Sequence, residues 1–299
     1  MKIIQPYDVT DGMVIANNIT GSTYTEWSSA TPYTQTDKVK IDSVHREYEC
    51  LIANTNKDPT TNPLDESGNP YWLDLGATND WAIFDNKTRS VSTNPLNITV
   101  SVKPNRLVNS IAILNISAGT LNVTAVSDSA GEVYNKDIVL RQYVSSFYDW
   151  FFSEITRIDN AVRIDLPAYN DMTVTITATS TSDVSIGEFV FGKLFEVGLT
   201  QYGTSLGIRD FSTKEFDTFG NPFVVERGFT NRIEYDVLML SSRTNAVRRF
   251  LSKYRAKPLV YIGAETEEET ITYGYYKSFN EVLQDYANTS MVLEVEELS

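Results

Sequence analysis

Short segments in which every second residue is apolar constrain this chain more than any other feature. Ile98, Val100 and Val102 form one such set, Leu121, Val123 and Ala125 a second, and Val174, Ile176 and Ala178 a third. An extended strand turns successive side chains to opposite faces, so a period of two places each set on one face of a sheet. The segments recur between turn-forming clusters from about Arg46 to Gly192, which is the pattern of a β-sandwich. Abundant Thr, Tyr, Phe, Val and Ile suit a pleated, half-buried surface. The expected fold class is therefore mainly β.

At 299 residues the chain exceeds what one hydrophobic core usually organises, so internal boundaries are expected. Residues 1–45 are crowded with Thr, Ser, Asn and Asp and read as an N-terminal arm with short strands, draped over the rest or over a neighbour. Residues 46–192 form the sandwich domain. Within it, Val162–Leu166 and Met172–Ile176, separated by the turn-rich Pro167-Ala168-Tyr169-Asn170-Asp171, predict an antiparallel hairpin.

Residues 193–299 form a third region, opened by a composition shift in which Gly198, Gly203, Gly207 and Gly220 recur among aromatic and polar residues. Asn231–Leu240 alternates as a strand, and Ser241-Ser242 offers a helix N-cap. Ala246, Val247, Phe250, Leu251 and Tyr254 then recur at helical spacing, and Pro258 ends the helix. Strands follow at Leu259–Ile262, Ile271–Tyr276 and Met291–Val295. The order is β-α-β-β-β, a unit in which one helix plugs one face of a sheet.

Several function classes are poorly served. Nucleophilic triads and imidazole metal sites need histidine, and the chain has one, His45; Cys50 is the single cysteine. Both read as structural, no disulfide framework is possible within the chain, and no cofactor is expected. No Walker-type Gly-x-x-x-x-Gly-Lys occurs, and the glycines near Gly203 are not framed as a dinucleotide fold requires. A formal charge of −14 opposes wrapping around nucleic acid and favours solubility. No stretch approaches the ~20 apolar residues that cross a bilayer, and Met1–Pro6 does not begin a signal peptide, so folding in a reducing cytoplasm without membrane insertion is expected.

Two constellations stand out. Tyr71 to Asp85 concentrates Trp72 and Trp81 with Asp74, Asp80 and Asp85. The favoured reading is structural, the tryptophans acting as core wedges between turns. The second is a carbohydrate platform in which Trp72 or Trp81 offers a ring face beside Asp74 and Asp80. The third and weakest is a glycosidase using Asp80 and Asp85, whose separation spacing alone does not set. The other constellation is basic: Arg243, Arg248, Arg249, Lys253, Arg255 and Lys257 occur with no intervening acid. Such a run solvates a helix face and complements the helix dipole. It also fits a docking face, led by Arg248, Arg249, Lys253 and Arg255, that meets Glu267, Glu268 and Glu269 of an adjacent copy, with Glu265, Glu294, Glu296 and Glu297 as further acids.

The run Trp72–Asp85 resembles a segment of virion proteins of tailed bacteriophages, and Tyr202-Gly203-Thr204-Ser205-Leu206-Gly207-Ile208-Arg209-Asp210-Phe211, continuing to Gly220, is similar to the same group. The resemblance covers about two thirds of the chain if the C-terminal unit is included. It implies a non-catalytic structural protein of the tail tip or baseplate, assembled in the host cytoplasm. The β-α-β-β-β unit would resemble the tail-tube-like split barrel of distal-tail proteins. The middle domain would be like the jelly-roll or galectin modules attached to such rings, some of which bind saccharide. The implied partners are copies of the chain in a ring, other tail proteins and host glycan.

Overall fold

The computed structural model describes residues 1–141, 146–152, 157–216, 219–265, 267–283 and 286–298. The chain is mainly β, with large antiparallel sheets.

One strand, Met172–Glu196, organises the molecule. Its first part pairs with Thr120–Ser127 on one side and with Ser92–Val102 on the other. The register with Ser92–Val102 breaks after Thr179 and resumes at Asp183, opposite Pro95, where the partner's Leu96 takes a left-handed φ of 66°. This irregularity lets both strands bend together, leave one layer and enter the other. From Ser185 to Gly192 the long strand then pairs with Ser110–Ser117. Between the layers lies one core, built from Ile98, Val100, Leu121, Val174 and Ile176 on one side and Ile111, Ile113, Phe189 and Phe191 on the other. All nine residues of the three alternating sets are fully buried.

The expected hairpin of Val162–Leu166 with Met172–Ile176 does not form. Ala161–Arg163 pairs with Ile111–Ile113 in the second layer, whereas Met172–Ile176 belongs to the first. The turn-rich residues 164–171 therefore cross between layers, and Leu166 is buried in the shared core on the way. Turn chemistry permits a reversal, but the face on which each strand buries its apolar side chains decides the partner.

The N-terminal residues divide between two places. Lys2–Pro6 is an interior strand between residues 192–196 of the long strand and Leu259–Ile262. Ile3 and Ile4 are both fully buried, Ile3 in the C-terminal core and Ile4 in the core between the units. Farther on, Lys38–Ile41, Arg46–Cys50 and Trp72–Ala77 form a small antiparallel sheet around Tyr33, Val39, Tyr48, Cys50 and Trp72. Residues on both sides of position 45 thus share one satellite core.

The C-terminal sheet runs in the order 192–196, Lys2–Pro6, Leu259–Ile262, Ile271–Leu283, Asn288–Glu297, Phe229–Leu240. After a bend at Val197-Gly198, Leu199–Thr200 pairs with Val237–Leu238, so the first and last strands are joined by one continuous piece of chain. A Cβ at Gly198 would collide with the Leu238 carbonyl oxygen, which is why the bend uses glycine. The helix Thr244–Lys253 links the end of Phe229–Leu240 to the start of Leu259–Ile262. Its Val247 and Leu251, followed by Tyr254, bury against Ile3, Tyr235, Tyr261 and Leu293. Phe250 stacks on Phe195 with centroids 4.1 Å apart, and the Tyr276 hydroxyl donates to the Leu251 carbonyl over 2.9 Å.

Two helix details correct the expectation. Ala246 is exposed, so the buried stripe is Val247, Phe250, Leu251 and Tyr254. Ser241-Ser242 does not cap: Ser241–Arg243 forms a 3-10 turn, and the Ser241 hydroxyl lies 3.0 Å from the Thr289 hydroxyl on the last strand, tying turn to sheet. Among the described residues, no helix is long and apolar enough to cross a membrane.

Candidate functional site

The helix buries one stripe and must solvate the other, and its outer face is basic. Arg248, Arg249, Lys253 and Arg255 are all exposed. Among the described residues none of the four forms an ion pair with an acid of its own chain. The Arg255 guanidinium donates to the Ser252 carbonyl over 3.3 Å, and the Lys253 ammonium sits 5.1 Å from the Tyr254 ring centroid. The flanking cations are engaged: Arg243 donates to the Glu196 carbonyl over 2.7 Å, and Lys257 lies 3.4 Å from Asp8. The sequence-predicted docking residues are therefore outside the ion pairs of the described residues, although the Arg248 charge acts on the Glu281 carboxyl, which burial raises and Arg248 lowers.

The acids lie elsewhere. Helix and acidic loop flank the same four-residue strand, Leu259–Ile262, the helix preceding it and residues 263–270 following it. They occupy opposite ends of that strand, ~10 Å apart along its axis at ~3.3 Å per residue. Glu267 and Glu269 are exposed. Glu268 is half-buried and accepts from the backbone amides of Asp159 and Asn160, both over 2.7 Å, with burial raising its carboxyl above the ordinary value. It serves as a clamp between the sandwich and the C-terminal sheet. Glu265 pairs with Lys2 at 2.5 Å. On the last strand, Glu294 pairs with Arg232 at 3.1 Å, Glu296 is held below the ordinary carboxylate range by Lys277 and Arg209, and Glu297 accepts from the Asn231 amide. Among the described residues, Glu267 and Glu269 are exposed acids of this set whose carboxylates form no ion pair.

The tryptophan segment folds inward. Trp72 is 3% exposed, donates from its indole to the Lys57 carbonyl over 2.8 Å and meets Tyr33 edge-on. Trp81 is half-buried, with His45 lying flat on one face and Phe84 packed edge-on. Asp74 is bound by Arg46 at 2.7 Å and accepts from the Gly76 amide. Asp80 is half-buried beside Gly21, and its backbone carbonyl accepts from Asn17 over 2.9 Å. Asp85 accepts from the Lys87 amide, and burial raises its carboxyl. The indoles act as wedges and the aspartates as turn and ion-pair groups. Cys50 is likewise buried, and burial pushes its thiol up.

Two features escaped sequence reasoning. The first is Glu188, nine-tenths buried in the long strand, which accepts from the amides of Asn86 and Lys87. Its Oε2 has no hydrogen-bond partner among the described residues, and burial, then the neighbouring Asp85, raises its carboxyl well above the ordinary value. It lies under the turn that joins the units, where Tyr273 donates to Asn86 over 2.7 Å and Thr88 to the Leu298 carbonyl over 3.0 Å. A lone acid within the apolar run Ile186 to Phe191 was the available signal. The second is an arm. Ser205–Asp210 pairs with Phe229–Glu234, and beyond it Thr213–Phe216 and Pro222–Val225, among the described residues, pair only with each other. Phe211, Phe216, Phe223 and Val224 are exposed along it. The sequence marks this region only as a glycine-punctuated boundary or long loop, and the consecutive Phe223-Val224-Val225, which lacks the alternation of a half-buried strand, was the available signal. Asp217 and Thr218, within the phage-like run, lie outside the described residues.

No group of three or more candidate metal ligands occurs among the described residues. The chain matches no protein-family model, no curated protein and no solved structure.

Proposed function

We propose that this chain is a non-catalytic structural subunit of a tailed-bacteriophage tail tip or baseplate, which joins copies of itself into a ring and contacts neighbouring tail proteins. One observation carries the reading: among the described residues Arg248, Arg249 and Lys253 of the helix and Arg255 just after it are exposed and form no ion pair within the chain, while exposed Glu267 and Glu269 sit at the other end of the adjoining strand. Complementary patches at the two ends of one strand allow a head-to-tail contact, which generates a closed ring when the rotation closes. The phage-like wording of Trp72–Asp85 and of the 202–220 run supports the virion setting. On this reading the sandwich corresponds to a jelly-roll or galectin-like module, the C-terminal sheet to a tail-tube-like split barrel, and the protein resides in the virion tail after assembly in the host cytoplasm.

Sedimentation velocity over a concentration series tests it. The wild-type chain associates, Arg248→Glu with Arg249→Glu dissociates it, and Glu267→Lys with Glu269→Lys restores association when mixed with that variant. An oligomer indifferent to the reversal overturns the charge contact. A chain that remains monomeric at high concentration while turning over a substrate overturns the assembly reading itself.

A further inference from the structure

Glu188 is 4% exposed and belongs to the strand Met172–Glu196. By register it lies opposite Leu114, as Val190 lies opposite Ala112. Alternation turns Glu188 and Val190 to one face, and there Leu114, Ala112 and Val190 pack with Ile4, Val260 and Tyr273 in the core between the sandwich and the C-terminal sheet. A carboxyl thus occupies the apolar seam that joins the two units.

The turn Asp85–Thr88 covers it. Asn86 and Lys87 donate their backbone amides to the Glu188 carboxyl. The turn lies hard against the strand, since a Cβ at Gly187 would come 2.3 Å from the Thr88 carbonyl oxygen. The same few residues bridge the units. Asn115 of the sandwich donates to the Thr88 carbonyl over 2.7 Å. Toward the C-terminal sheet, Asn86 accepts from the Tyr273 hydroxyl over 2.7 Å, Thr88 donates to the Leu298 carbonyl over 3.0 Å, and Arg89 donates to the Phe229 carbonyl. Asn86 and Asn115 hold left-handed backbones, with φ of 64° and 53°. Asparagine tolerates that conformation without preferring it, so contacts, those to Glu188 among them, keep the turn in shape.

Charge decides whether the contacts hold. A buried carboxylate is far costlier than a buried carboxylic acid unless its oxygens are fully paired. Two amides meet part of that need, yet Glu188 Oε2 has no hydrogen-bond partner among the described residues. Burial raises the Glu188 carboxyl, and Asp85, on the turn itself, raises it further. Burial raises Asp85 as well, while Lys87 and Arg46 lower it. From the C-terminal sheet comes Tyr273, a phenol that burial, then Glu188, holds well above its ordinary value, with Tyr275, Asp8 and Asp85 acting in the same direction. Leu114 and Val190 share the face of Glu188 and offer nothing polar, so lifting the turn is the direct way to hydrate an ionised Glu188.

We infer that Glu188 works the turn Asp85–Thr88 as a pH-sensitive clasp between the sandwich and the C-terminal sheet, shut while Glu188 carries its proton and released when Glu188 ionises beside Asp85. Below the ordinary glutamate value the clasp is fully shut, and it slackens as pH rises through the raised one. Release is local, because Lys2–Pro6 still bridges the long strand and Leu259–Ile262, and Glu268 still binds the Asp159 and Asn160 amides. The clasp requires nothing of the assembly reading.

Hydrogen exchange of the whole chain at pH 5 and pH 8, each rate divided by that of an unstructured amide at the same pH, tests it. Protection at the Asn86 and Lys87 amides should fall by about tenfold or more from pH 5 to pH 8. The loss should exceed that at Val174 and Ile176 in the sandwich core. Glu188→Gln keeps an oxygen for the two amides and cannot ionise, so protection of its turn should be equal at both pH values. Asp85→Asn removes the neighbouring charge and should shrink the loss while leaving part of it. Turn protection that does not change with pH in the wild type, or that changes as much in Glu188→Gln, overturns the clasp. An equal loss at turn and core also overturns it, since the whole fold would then be giving way. Should Glu188→Gln fail to fold, Asp85→Asn decides: a loss as large as in the wild type overturns the clasp, and a smaller one supports it.

Discussion

His45 lies flat on Trp81, ring centroids 3.7 Å apart and planes 9° from parallel, with its Nε2 2.8 Å from an Asp11 carboxylate oxygen. The left-handed backbone of His45, φ 52°, ends the turn at Asp42–Val44. Through Trp81 the stack reaches Phe84, which belongs to the sandwich core. The chain's single histidine thus couples the N-terminal turn and the satellite sheet to the central domain.

Trp81→Ala should therefore act on stability, costing about 2–4 kcal/mol as a half-buried member of the range for large aromatic truncations. A shift of the urea midpoint measures it. Trp81→Phe should recover part of the loss by keeping a ring against Phe84.

Glu188 makes stability depend on pH. Its folded-state carboxyl is raised by burial and then by Asp85, so the folded chain holds a proton where the unfolded chain has released it. Stability contributed by the protonated group is full below the ordinary glutamate value and is lost as pH rises through the raised one. Glu188→Gln keeps an oxygen for the Asn86 and Lys87 amides and carries no charge. Urea unfolding at pH 5 and pH 8 should show a smaller difference for the variant and greater stability than wild type at pH 8.

The helix plug can be separated from its basic face. Leu251 is fully buried in the C-terminal core, so Leu251→Ala should cost about 2–5 kcal/mol. Tyr276→Phe removes only the hydroxyl bond to the Leu251 carbonyl and should cost about 1 kcal/mol. Thermal or urea unfolding distinguishes the two, and neither exchanges a charge on the basic face.

Gly192 faces the N-terminal strand, and a Cβ there would collide with the Gln5 carbonyl oxygen. Gly192→Ala should pry Lys2–Pro6 from the long strand at a cost of about 1–3 kcal/mol, the usual range for overpacking. Hydrogen exchange should show earlier loss of protection at the amides of Ile3 and Ile4 than in the rest of the sheet.

The alternating sets at Ile98, Leu121 and Val174 were legible because strand periodicity is a local property, and burial of all nine residues follows from it. The helical stripe was legible for the same reason, apart from Ala246, which is small enough to face water at little cost. The partner of Val162 was not legible. Its neighbours in sequence offered a turn, yet its apolar face completes the opposite layer, and layer membership is a long-range matter.

The candidate surface divides in the same way. Arg248, Arg249, Lys253 and Arg255 could be read from an unbroken basic run on an amphipathic helix, and Trp72 and Trp81 as wedges from the turn residues around them. That Glu268 clamps two units while Glu267 and Glu269 stay exposed was decided by tertiary structure, since a carboxylate's partner depends on which backbone amides packing brings within reach. The sequence by itself determined the strands, the plug helix and the sign of its outer face, because periodicity and charge are carried by neighbouring residues. Only the tertiary structure decided that an N-terminal strand completes a C-terminal sheet and that Ala161–Arg163 joins the opposite layer from Met172–Ile176, because those relations join residues distant in the chain whose pairing is selected by packing.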